Sequence, residues 1–205
     1  MIDIIFIVCI IFLSIILHEC AHGWVAYQCG DPTAKLAGRL TLNPLKHIDP
    51  VGTVLLPGIL LALRFFGYHT FLFGWAKPVP VNFFALRHPK RDMISVGFAG
   101  PATNFMIAFF CIFLLKLNVF SNAKDILEMT IFFNFLLAVF NLIPIPPLDG
   151  SRIVTGLLPR PLDYRYASLE KYGLLIVFAL IYFGLLNRTI FPIVDALGNF
   201  FGVKF

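Results

Sequence analysis

Residues Ile2–Leu17 carry one charge, Asp3, and no Pro or Gly, and this apolar run leads straight into His18-Glu19-Cys20-Ala21-His22. Such a run reads as a helix embedded in apolar surroundings. At 1.5 Å per residue, Leu17 lies about 24 Å along from Ile2, most of a ~30 Å hydrocarbon core. On a helix, His18 and His22 are four residues apart and share one face. That spacing suits two imidazole ligands of a single zinc ion, with Glu19 beside them as a general base. Two histidines and a glutamate in a hydrophobic helix are costly, so they mark a functional site by default.

Composition extends this reading to the whole chain. Of 205 residues, 59% are hydrophobic and 13% charged, with 24 Phe. A soluble domain carries about 25% charged residues, so an integral membrane protein is expected. The net charge of +5 does not call for nucleic acid, because the basic residues sit in short loops between apolar runs, as positive-inside topology requires. Cys9, Cys20, Cys29 and Cys111 form no CxxC pair. They read as membrane-buried thiols rather than a disulfide framework.

The expected fold is an all-α polytopic membrane protein of about five to six transmembrane helices, with a re-entrant segment and short membrane-associated β-strands. It is expected to form one domain, 1–205, with a core over 1–150 and C-terminal helices over 151–205. The apolar runs are Ile2–Cys29, Val51–Phe73, Met93–Leu117, Ile126–Ile145, Tyr172–Leu186 and Thr189–Val203. Gly38–Leu42 alternates as a strand would, and Lys77–Asn82 looks extended around its prolines. Pro57-Gly58 breaks Val51–Phe73, which permits a re-entrant pair of short helices if protein covers the freed backbone.

Charge gives the topology. Loops 30–50, 74–92 and 148–171 hold eleven basic residues, among them Lys35, Arg39, Lys77, Lys90, Arg152 and Arg160, whereas Lys116, Lys124 and Arg188 fall on the other side. The protein is therefore expected in the cell membrane, multi-pass, with its site towards the cytoplasm. Catalytic zinc usually has three protein ligands and one open position. Asp149 is the strongest third candidate, because the Ile126–Ile145 run breaks on Pro144, Pro146 and Pro147 at the same expected depth. Its rivals are Asp125 and Glu128 on the far side, Asp195 in the last segment, and His47 in a loop. His47 reads as a loop or outer-shell histidine, and His69 and His88 as membrane-interface residues.

The motifs taken together resemble the site-2 protease family (peptidase M50) of intramembrane zinc metalloproteases. They are His-Glu-x-x-His in the first helix, Gly100-Pro101-Ala102-Thr103-Asn104, and Asn-x-x-Pro-x-Pro-x-x-Asp-Gly over Asn141–Gly150. Asn43–Pro50 and Gly74–Asn82 belong to the same pattern. The likeness is to the small bacterial branch without PDZ or CBS domains. It implies one Zn2+ per chain on His18, His22 and Asp149, Glu19 as catalytic base, and Asn104 and Asn141 near the substrate or its oxyanion. It also implies a transmembrane protein or peptide substrate within a lipid bilayer, hydrolysed within or near its membrane segment. The extended stretches near 38–42 and 77–82 could pair with an unwound substrate strand. A metal transporter or metal-sensing membrane protein using the same His/Asp cluster is the alternative. A non-ligand carboxylate beside a ligand favours hydrolysis.

Overall fold

The computed structural model describes residues 2–68, 74–118 and 123–205, with side chains from residue 8 onward. His69 and the end of the Val51–Phe73 run lie outside the described residues. The helices are α1 (Ile2–Gln28), α2 (Thr33–Leu36), α3 (Leu56–Phe65), α4 (Pro89–Lys116), α5 (Lys124–Asn141), α6 (Asp149–Leu157), α7 (Leu162–Ala167), α8 (Gly173–Tyr182) and α9 (Phe191–Phe201).

The centre of the molecule is α4, which packs against α1, α5 and α6. Helices α1 and α4 are antiparallel. The Arg87 N–H donates to the Cys29 carbonyl at 2.9 Å where one ends and the other begins. Deeper in, His18 meets Asn104. Pro101 lies inside α4 without ending it. A second apolar core joins α4, α5 and α9 through Ile112, Ile131, Phe135, Ile190 and Val194. On its other side α4 shows Phe98, Met106, Phe110 and Phe113, all exposed. A contiguous apolar face of this kind is what lipid would cover.

Two expectations fail. The first is the number of spans. Among the described residues only Val8–Gln28 and Pro89–Lys116 are long and apolar enough to cross a bilayer; a third is added if the bent pair Leu162–Tyr182 and Leu186–Phe201, with 68° between its arms, counts as one. Five to six transmembrane helices are therefore not found. The apolar runs are real but are divided into shorter helices. α5 has 18 residues, with Lys124, Asp125 and Glu128 in its first two turns. α8 and α9 have 10 and 11 residues, and Gly184 parts them at φ 90°. Pro57-Gly58 does not make a re-entrant break. The chain passes from a π-helical turn, Pro50–Leu55, straight into α3. Pro57 is carried where the π-helical turn gives way to α3, without ending the helix.

The second failure is the strands. No β-strand forms among the described residues. Residues 74–82 do run extended, but their polar groups are taken up by side chains and scattered backbone rather than by a neighbouring strand. The Lys77 N–H donates to the His47 carbonyl (2.9 Å) and Trp75 N–H to Gly52 (3.1 Å). The Arg39 guanidinium donates to the carbonyls of Lys77 (2.7 Å) and Pro78 (3.3 Å). The buried Asp31 carboxylate takes the Asn82 N–H at 2.6 Å. The alternation at Gly38–Leu42 is likewise answered by side chains: the Thr41 carbonyl accepts from Cys20 Sγ and pairs with His47 Nε2.

Candidate metal centre

The His18–His22 spacing does on α1 what the helical period dictates. Both imidazoles point at α4, and both are nearly buried, at 6% and 8% exposure. The third partner arrives from α6. The prolines after Asn141 end α5, and the chain turns back so tightly at Gly150 that a Cβ there would sit 2.6 Å from the Ile143 carbonyl oxygen. Glycine is what allows Asp149 to open α6 at the level of the two rings.

Three donor atoms converge. Asp149 Oδ2 is 3.0 Å from His18 Nε2 and 3.2 Å from His22 Nε2. The two Nε2 atoms are 3.1 Å apart. The opposite ring atoms face outward. His22 Nδ1 donates to the Val96 carbonyl at 2.7 Å, and His18 Nδ1 to Asn104 Oδ1 at 2.5 Å. With the protons on Nδ1, each Nε2 presents a lone pair. Two lone pairs and a carboxylate oxygen then face one another in a buried place, and Asp149 Oδ2 has no hydrogen-bond donor. Such a triangle is repulsive unless a cation draws it together. Tetrahedral bonds of about 2.0–2.1 Å place ligand atoms roughly 3.3 Å apart, close to what is found. An ionised Asp149 is acceptor-only, which suits a cation rather than a hydrogen-bond donor at Oδ2. The donor set therefore fits zinc.

Helix α4 closes the site from behind. A Cβ on Gly100 would fall 2.5 Å from His18 Nε2 and closer still to His22 Nε2. Any other residue there would occupy the space where the lone pairs meet.

Glu19, the neighbour of His18, is half-buried and turned to the 74–82 segment, where its Oε2 accepts the Val79 N–H at 2.8 Å. Asn104 is fully buried and its amide is spent inside the protein, one end on His18 and the other donating to Asn134 Oδ1 at 2.9 Å. Asn141 donates to the Leu137 carbonyl of its own helix at 2.9 Å. His47 is buried against Thr41 and takes no part in the cluster. Asp125, Glu128 and Asp195 do not join it either. Asn134 was not foreseen. Its signal was a lone amide on an apolar helix, two turns before Asn141 and on the same face.

The sequence model of peptidase family M50 matches residues 118–184. YwhC of Bacillus subtilis is 38% identical over 201 residues, covering 93% of this chain and 86% of its own length. Rip2 of Mycolicibacterium smegmatis is 32% identical over 196 residues, 94% of this chain and 72% of its own. Both carry provisional names as zinc metalloproteases. MJ0392 of Methanocaldococcus jannaschii, named a zinc metalloprotease, is 24% identical over 95% of this chain and 47% of its own length. No solved structure matches significantly. A His-His-Asp triangle built from an apolar helix and the start of α6, together with relatives this similar over nearly the full chain, identifies the protein as a membrane metallopeptidase of family M50.

Proposed function

We propose that the chain is a zinc endopeptidase that hydrolyses peptide bonds within or near transmembrane segments of membrane proteins. The observation that carries this reading is the convergence of Asp149, from the start of α6, on His18 and His22 of the apolar helix α1. His18, His22 and Asp149 would hold one zinc ion. Zinc supplies a Lewis acid for the scissile carbonyl and makes water a usable nucleophile near neutral pH.

Glu19 is the general base. It takes the proton of the attacking water and passes it to the departing amine, so that one water is consumed and a carboxylate and an amine are left. The Val79 N–H holds Oε2 and leaves Oε1 for the proton. The Nδ1 hydrogen bonds of both histidines keep Nε2 deprotonated for the metal. Asn104 then serves His18 rather than the substrate, while Asn141 spends one N–H on Leu137 and keeps its second N–H and its side-chain oxygen.

The site faces the cytoplasm in this reading. The end of α1 and the start of α4 lie together, and Lys35, Arg39, Lys77, Arg87, Lys90 and Arg91 flank that end in sequence, whereas α4 finishes on Lys116 alone. Such an excess marks the cytoplasmic side.

Co-expression with tagged single-span membrane proteins tests the function. Glu19→Gln should keep about one zinc per chain and lower cleavage by the roughly 10²–10⁴-fold that a general base contributes. Full cleavage by this variant would remove Glu19 as the base, whereas wild type that moves zinc across the membrane and cleaves nothing would replace the peptidase reading with a transporter.

A further inference from the structure

We infer that Asn134 is a positioning residue that fixes which nitrogen of His18 carries the proton, acting through Asn104. The inference rests on the zinc-site reading above and concerns residues that this reading leaves unused.

The argument starts from a group whose polarity cannot change. The Thr130 backbone carbonyl can only accept. Asn134 Nδ2 donates to it at 2.9 Å and to Ser14 Oγ at 3.0 Å. The amino end of Asn134 is thereby committed, so its Oδ1 must face the other way. Asn104 Nδ2 meets that oxygen at 2.9 Å. The amide of Asn104 is therefore also fixed, with its oxygen towards His18 Nδ1. An oxygen there requires a proton on Nδ1, and Nε2 is left as a lone pair facing Asp149. Asn104 and Asn134 are fully buried and Ser14 nearly so, at 2%. Water has little access to substitute for any link.

Asn104 alone would not suffice. An amide is nearly symmetric in shape, and with nothing beyond it Asn104 could turn its amino end to the ring. His18 Nδ1 would then accept, its proton would move to Nε2, and the nitrogen needed by the metal would be capped. His22 needs no such relay, since its Nδ1 meets the Val96 carbonyl directly. Both rings are thus referred to a main-chain carbonyl, one directly and one through two side-chain amides.

The two routes supply their own control. Detergent-purified protein with ¹⁵N-labelled histidine is compared as wild type and Asn134→Leu, with zinc and without it. Wild type should show Nδ1–H on both rings. Asn134→Leu should give a mixed proton population on His18, leave His22 unchanged, and weaken zinc against a competing chelator by about tenfold, the low end of what outer-shell partners contribute. Asn134→Ala, with room for a water in place of the amide, gives the same comparison where Leu is not accommodated.

An unchanged His18 signal in both variants would overturn the inference. So would equal disturbance of His18 and His22, which marks a general packing defect. Wild type that binds no zinc would sink the metal site itself. The proton position on His18 in metal-free protein would still decide the relay.

Discussion

His18 and His22 face α4, while Glu19, one residue along on α1, faces the extended segment 74–82. The two sides are held by different means. On the ligand side every partner comes from packed elements: Asn104 and Val96 from α4, Asn134 from α5, Asp149 from the start of α6. On the base side the partner is a backbone N–H in a segment that forms no helix or strand, anchored by Arg39, Asp31 and the His47 carbonyl. In the proposed reading, metal geometry would be a property of helix packing, whereas the surroundings of Glu19 belong to a loop. The first should resist change unless the helices move. The second can be altered without touching the metal.

The largest expected effect comes from closing the gap between α1 and α4. Gly100→Ala puts a methyl where the two Nε2 atoms meet. Zinc measured in the purified variant should be absent and cleavage with it. Retained zinc would mean that the two helices separate easily, which would break the contrast. Asp149→Ala should follow, with zinc affinity falling by more than the ~10–100-fold typical of outer-shell changes, as read by chelator competition.

The base side should behave differently. Val79→Pro removes the N–H that Glu19 Oε2 accepts. A hydrogen bond to a charged group contributes about 1.5–3 kcal/mol, so turnover should fall roughly 10–100-fold with zinc content unchanged. Arg39→Met takes the guanidinium from the carbonyls of Lys77 and Pro78. A few-fold fall in activity is expected, again at full zinc occupancy. Loss of metal in either variant would show that the two sides are not independent.

What could be read from the sequence follows the same division. The first helix and its two histidines were legible because the information is local: an apolar run and a four-residue period. Asp149 was reached by a charge argument that expected it level with the two histidines; its carboxylate does lie within 4.8 Å of both rings, although the spans counted on the way were too many. Apolar composition alone did not reveal that α8 and α9 are short or that α5 begins on three charged residues within its first two turns. The extended loops were read as strands because alternation cannot tell whether the partner will be a strand or an arginine. Asn134 went unnoticed because its meaning lies wholly in contacts with Ser14 and Asn104, distant in the chain.

The closeness of Gly100 to both imidazoles also decides from where the centre can be reached by a foreign molecule. With the α4 backbone set against the rings, a chelating inhibitor has no route from that side. A compound that enters past segment 74–82 meets Glu19 held by the Val79 N–H, so a scaffold with a backbone-like N–H as well as a zinc-binding head would compete for the carboxylate there.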